Sequence, residues 1–237
     1  MTTYNDRALH ELEVWKKKMR KKPSIMNLAS KSVQNKFNNV LPDAYDEILT
    51  YGIKNLTKAV LFGSKYITKP PIKNLSLIDR ERLIKEKTKS YKTTAMIEGA
   101  ATGAGGIVLG LTDLPLLLSI KIKFLYDIAS IYGFDVNDYR ERLYILNIFQ
   151  LAFSSKNHVN KIFKKMENWD EYNAYLPNDM NDFDWKSFQQ EYRDYIDLAK
   201  LMQMVPFIGA VVGPYVNNKL MKKLSETAIQ SYRMRIL

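Results

Sequence analysis

The chain contains no cysteine and only two histidines, His10 and His158. The first absence excludes disulfides, thiolate catalysis and cysteine-ligated zinc, and it suits a reducing cytoplasm. The histidines lie on distant stretches, and neither stands in an HExxH or similar zinc pattern. No Gly-x-x-x-x-Gly-Lys-[Ser/Thr] phosphate loop and no Gly-x-Ser-x-Gly elbow occurs. Gly103-Ala104-Gly105-Gly106-Ile107-Val108 fails the dinucleotide fingerprint at its last glycine and follows no strand. These gaps remove the commonest enzyme classes, and no cofactor or metal is expected. No segment alternates Val, Ile and Thr as a sheet would, so the expected fold class is all-α. Met1 to Trp15 carries acids and no apolar core, so no cleavable signal is expected there.

Charge is abundant but unevenly placed. The net charge is +11. Residues 1–92 hold 20 Lys and Arg against 9 Asp and Glu, whereas residues 93–237 hold 16 of each sign. An anionic partner should therefore meet the N-terminal part first. Within it, Leu9, Leu12, Trp15 (or Val14) and Met19 recur at helical spacing. Lys16, Lys17, Lys18, Arg20, Lys21 and Lys22 crowd the far end. Two readings fit: a basic amphipathic helix with an interfacial tryptophan, or a core-packed helix with a solvated basic face. Nucleic acid is the less favoured partner, because no RNP-like motif, zinc knuckle or recognisable helix-turn-helix accompanies the charge.

The organising stretch is Glu98 to Leu118, where five glycines and a lone Asp113 sit in apolar surroundings. Gly99 with Gly103, Ala100 with Ala104, and Gly106 with Gly110 are four apart, which stacks small residues on shared helix faces and lets another backbone approach. Each helical glycine costs about 1 kcal/mol against alanine, so packing must offset several at once. Thr112 or Asp113 can cap a following helix with Pro115 in its first turn, and Gly133 supplies its stop after Tyr132. The expectation is a helical hairpin with Asp113 near its tip. It is buried in the domain, docked on lipid, or less plausibly a true span, given the central acid and the Gly/Pro break. A second charge-free stretch, Leu201 to Asn218, is interrupted by Pro206, Gly209, Gly213 and Pro214 and reads as a partner hairpin. The expected architecture is a helical domain built around two packed glycine-rich apolar hairpins.

Pro70 and Pro71 mark the expected boundary between a basic N-terminal helical portion, 1–70, and a core, 71–237. Helices are expected from Ser24, from Pro42 and from Ser76, the last opened by Ser76 with Asp79. Asp135 to Asp138 reads as a turn and Tyr139 to His158 as a core helix. Lys219 to Leu237 reads as the last helix. Between Glu167 and Asp197 nine acids face Lys186 and Arg193, an acidic excursion that is either solvated or folded back on the basic portion. Its Asp179 to Asp184 part lacks the central glycine and terminal glutamate of a calcium loop. Were the chain an enzyme, Glu98 and Asp113 are the candidate catalytic carboxylates, since a buried acid titrates high. Asp127 is expected to pair with Lys123, and Asp135 to shape its turn.

Together, Gly99 to Gly106, Asp113-Leu114-Pro115, Ile128-Ala129, Tyr132-Gly133-Phe134-Asp135 and Glu141-Arg142 resemble the EcsC protein family. So do Pro206 to Ala210, Gly213, Asn217, Ala228, Tyr232, Arg233 and Arg235. Trp15-Lys16 and Leu41-Pro42 carry the resemblance more weakly. In that family a member of this length is encoded beside the ATPase and membrane subunits of an ABC exporter. The resemblance therefore implies a membrane-associated accessory role and supplies no catalytic residues. The matching positions to examine are Gly103, Gly105, Gly106, Asp113, Tyr132, Asp135, Arg142, Gly209 and Asn217. The expectation is a non-enzymatic peripheral protein on the inner face of the cell membrane, binding anionic lipid or ABC transporter subunits. Trp15, Lys16, Lys17, Lys18, Arg20, Lys21 and Lys22 would form its binding surface. The alternatives are a hydrolase or transferase using buried carboxylates, or a helical carrier of an apolar ligand.

Overall fold

A computed structural model describes residues 3–21, 51–52, 54–57, 60, 70–103, 114–154, 156–196 and 209–237. For 95–103, 114–117, 156–157, 193–194 and 209–217 the description is of backbone alone. Among these residues every regular element is a helix, with one isolated bridge between Ser154 and Ile196. The fold is all-α.

Capping residues set where the helices begin. Thr3 opens α1 (Tyr4–Arg20) with a capping box: its hydroxyl accepts the Asp6 N–H while the Asp6 carboxylate accepts the Thr3 N–H. Ser76 opens α2 (Leu77–Gly103) by accepting the Asp79 N–H. After α3 (Leu114–Tyr132), Gly133 takes φ +93° and the Phe134 N–H bonds back to the Ala129 carbonyl. A Cβ at Gly133 would lie 3.3 Å from both the Ile72 carbonyl and Arg80 Nη1, so conformation and space both call for glycine.

Helix α4 (Tyr139–Phe153) is the centre of the molecule, with every residue but Arg140 and Arg142 buried. Its run from Leu143 to Phe153 packs against α3, α5 (Lys156–Glu167) and α8 (Gly209–Ile236). Fully burying one such Leu, Ile or Phe side chain contributes about 1.5–3 kcal/mol, so this helix anchors the core. The periodic apolar face predicts one helix from Tyr139 to His158, but the chain breaks it at Ser154. The Ser154 N–H makes the helix's own bond to the Gln150 carbonyl, at 2.7 Å, and its hydroxyl adds a second at 2.6 Å, but Ser154 itself turns extended, with ψ 154°, and bridges to Ile196, which ends the helix.

Helices α2 and α3 run antiparallel, joined side by side by Tyr132 to Glu81, Lys87 to Asp127 and Tyr91 to Phe124. Their connection, 104–113, lies outside the described residues and contains Gly105, Gly106 and Asp113. Helix α8 lies antiparallel along α2, with the Thr88 and Ser225 hydroxyls 2.8 Å apart. It begins at Gly209 rather than Lys219 and takes Gly213 and Pro214 into its first turns. The other limb of that expected hairpin, 201–208, lies outside the described residues, as do most of the helices expected from Ser24 and Pro42.

The acidic stretch folds as α6 (Trp169–Ala174), a 3-10 turn (Met180–Asp182) and α7 (Trp185–Tyr195). Asp179 accepts the Asn181 N–H and Asp184 the Ser187 N–H, so the acids in the calcium-loop-like segment cap short helices. Inward, Trp169, Leu176, Phe188, Tyr192 and Tyr195 join the core. Helix α1 packs on α8, α5 and α2, and the Asn160 amide of α5 donates to the Arg20 carbonyl at its end.

Candidate functional site

Where α1, α2, α3, α4 and α8 meet, the chain buries two acids and Arg233, with Arg235 half-buried beside them. Glu81 lies on α2 between Leu77 and Ile84, on the stripe that faces inward, and Arg233 reaches it from the end of α8. The pair is bidentate, with Nε to Oε1 at 2.7 Å and Nη2 to Oε2 at 2.6 Å. The third guanidinium nitrogen, Nη1, donates to Glu11 of α1 at 2.7 Å. Tyr4 and Tyr132 also donate to Glu81, at 2.6 and 3.2 Å. Burial works against the Arg233 charge, but its hydrogen bonds to Glu81 and Glu11 outweigh that and hold its pKa above the ordinary value.

The neighbouring acid is treated likewise. Arg235 Nη1 and the Tyr232 hydroxyl each donate to Glu141 at 2.6 Å. The Arg235 guanidinium lies over the rings of Phe134 at 3.8 Å and Tyr144 at 4.5 Å, while Tyr132 and Tyr232 stack at 5.1 Å. Both Glu81 oxygens and both Glu141 oxygens are taken by donors. These carboxylates are therefore occupied in fastening helices together and are not poised as a general acid, a general base or a metal ligand.

The phenols around them resist ionisation. Burial, then the hydrogen bond to Glu81, pushes Tyr4 up to about 12, and burial raises Tyr172 to about 12 as well. Burial first, then the Glu81 charge, raises Tyr132 further, and burial raises Tyr144 further too. The folded state holds these protons more tightly than the unfolded chain, whose tyrosines titrate near 10.0. Their contribution to stability is thus complete below pH 10 and is lost as pH rises through the folded values. Urea midpoints are expected to hold from about pH 8 to about pH 10 and to fall steeply above it. A flat profile to about pH 12 would contradict the burial of these hydroxyls.

Helix α1 presents the second candidate surface. Trp15 does not face outward: it is half-buried, edge-on to Phe163 at 5.5 Å, with Ala8, Leu12 and Met19 on the same inward side. Of the two sequence readings, the structure thus realises the core-packed helix with a solvated basic face, because α5 and α8 already cover the apolar stripe. Leu9 and Val14 stay exposed. Lys16 pairs with Glu13 at 3.0 Å and Arg20 with Glu167 of α5. Lys17, Lys18 and Lys21 are exposed and have no ion pair among the described residues. Exposed Lys164 stands on the adjoining α5. Lys22 lies outside the described residues.

The other sequence candidates scatter. Asp135 Oδ1 accepts the N–H and the amide of Asn137, both at 2.9 Å, and so shapes the turn. Arg142 follows Glu141 but its buried Nε has no partner among the described residues. Glu98 and Gly103 fall in α2, Gly209 and Asn217 in α8, with backbone alone described; Asp113 lies outside. Asp127 does pair with Lys123, at 3.3 Å, and also with Lys87 at 3.1 Å. Sequence reasoning missed Glu81, Glu11 and Tyr4. The signal for Glu81 was available: an acid four residues after Leu77 and three before Ile84, inside an otherwise apolar stripe.

The described residues thus form an all-helical body fastened by buried Arg–Glu–Tyr clusters, with a basic helix on one side. The sequence profile of the EcsC protein family matches residues 6–237, and the chain belongs to that family. It is 43% identical over 236 residues to "Protein EcsC" of Bacillus subtilis (strain 168), covering 99% of this chain and 97% of that protein. It is 30% identical over 147 residues to "Uncharacterized protein YdbA" of the same organism, covering 62% of this chain and 54% of that protein. No solved structure matches. Tyr132, Glu141, Tyr232, Arg233 and Arg235, scattered in sequence, come together here as the buried cluster.

Proposed function

We propose that this chain is a non-enzymatic accessory protein that docks on an anionic membrane surface through the outward face of α1. The observation that carries the reading is the separation of roles along that helix. The apolar side, including Trp15, is committed to the core, while Lys17, Lys18 and Lys21 are exposed and form no ion pair among the described residues. Such a surface attracts anionic headgroups electrostatically and does not insert. Among the described residues no helix is long and apolar enough to cross a membrane, which agrees with attachment from one side. In this reading the protein partner is a subunit of an ABC exporter, as the family resemblance implies, with the lipid surface concentrating the chain beside it. The same lysines also complement the negative end of the α1 dipole, a stabilising role worth a few tenths of a kcal/mol that does not require lipid.

Single substitutions separate the two roles. Near an anionic surface each lysine contributes about 1 kcal/mol, so Lys17→Gln, Lys18→Gln and Lys21→Gln are each expected to weaken binding to phosphatidylglycerol vesicles about fivefold. Folding stability should shift by less than about 0.5 kcal/mol. Unchanged vesicle binding in all three, with intact folding, contradicts this surface.

A further inference from the structure

Beside the fastened clusters, α2 and α3 leave a groove of about 360 Å³, half open to solvent. Its size is at the low end for small-molecule sites. Ile72, Leu83 and Ile131 make the apolar walls, and Lys87, Ser90 and Asp127 bring polar groups to it. The wall at Ile72 is built rather than incidental. The Ile72 N–H donates to the Ser130 carbonyl at 2.9 Å, the Ser130 hydroxyl to the Pro70 carbonyl at 3.0 Å, and Arg80 Nη1 to the Ile72 carbonyl at 3.1 Å. A segment without helical hydrogen bonds of its own is thus held against the end of α3, and the groove keeps its shape.

The charge at this groove is arranged with a donor to spare. Asp127, buried, accepts from Lys87 at 3.1 Å, from Lys123 at 3.3 Å and from the Tyr91 hydroxyl at 2.9 Å. Lys123 is on its own helix, one turn away, and with Tyr91 it satisfies the carboxylate. Lys87 comes from the opposite wall, and its side chain is 44% exposed. It can turn from Asp127 to an anion in the groove without leaving a buried carboxylate unpaired, which would otherwise cost about 1–3 kcal/mol or more. Glu86, the other acid at the rim, is exposed and has no partner among the described residues, so it can turn to solvent.

We propose that the groove between α2 and α3 binds a short single-chain acyl anion, its chain against Ile72, Leu83 and Ile131 and its head on Lys87. This site is separate from the lysines of α1 and does not rest on membrane docking.

The test uses the full chain with methyl-labelled isoleucine and leucine, titrated with monomeric decanoate and, in parallel, with 1-decanol. Decanoate is expected to shift the Ile72, Leu83 and Ile131 methyl signals in one saturable transition, with decanol at least about tenfold weaker. Lys87→Met should bring decanoate down to the decanol level. Leu83→Trp should fill the groove and abolish both; if that variant does not fold, Ser90→Phe at the exposed rim closes the mouth instead. Methyl signals that do not move, equal binding of decanoate and decanol, or undiminished binding in Lys87→Met would each overturn the proposal. Vesicles enter neither arm, so failure here leaves the α1 surface standing, and the reverse.

Discussion

Arg233→Ala is expected to destabilise the fold by about 3–5 kcal/mol, because it leaves Glu81 buried with its charge uncompensated. Glu81 is 7% exposed and Arg233 5%, so water cannot replace the lost guanidinium without opening the junction. Four helices, α1, α2, α3 and α8, send side chains to this one ion pair through Tyr4, Glu11, Glu81, Tyr132 and Arg233. The loss should therefore be felt cooperatively. The paired replacement Glu81→Leu with Arg233→Met removes both charges and is expected to restore much of the stability, since a buried ion pair is worth little more than well-packed apolar groups. Urea unfolding of Glu81→Leu, of Arg233→Met and of the double variant measures the coupling directly. A single-variant loss under about 1 kcal/mol would mean that the carboxylate finds water, and that the junction is looser than the hydrogen-bond distances indicate.

Trp15→Ala is expected to cost about 3 kcal/mol of folding stability while leaving vesicle binding, measured on the folded fraction, unchanged. The ring meets Phe163 edge-on and covers the seam between α1 and α5, so its removal leaves a cavity that the two helices cannot close without shifting. An interfacial anchor would behave in the opposite way: stability nearly unaffected, vesicle affinity sharply reduced, and Trp emission shifted to the blue on adding lipid. Denaturant titration and vesicle co-sedimentation of the same variant separate the two outcomes.

Much of the fold was legible because helix ends are written in local chemistry. Ser76 with Asp79, Gly133 after Tyr132, and Asp138 before Tyr139 each use a side chain or a φ angle that the sequence names directly. Periodicity was less informative, because it marks an apolar face without saying what covers it. On α1 the same stripe of Leu12, Trp15 and Met19 suits a bilayer or the body of the protein, and only the packing of α5 and α8 decides. The break at Ser154 was illegible for a related reason. Ser154, Ser155 and Asn157 interrupt the apolar face without naming a stop, and the hydroxyl bond to Gln150 is one that a serine inside many helices also makes. The buried cluster was half visible: Glu141, Tyr232, Arg233 and Arg235 stood out through the family resemblance. Glu81 was marked only by its place between Leu77 and Ile84, and Glu11 looked like an ordinary surface acid until α8 brought Arg233 to both.

The proposed docking rests on an electrostatic surface on α1 and not on an inserted Trp15. Co-sedimentation of the full chain with neutral and with phosphatidylglycerol-containing vesicles, at about 0.05 M and about 0.5 M salt, tests it most directly. The account predicts binding to the anionic vesicles alone, largely reversed by the higher salt. Equal binding to neutral vesicles, or anionic binding that high salt leaves intact, would contradict it.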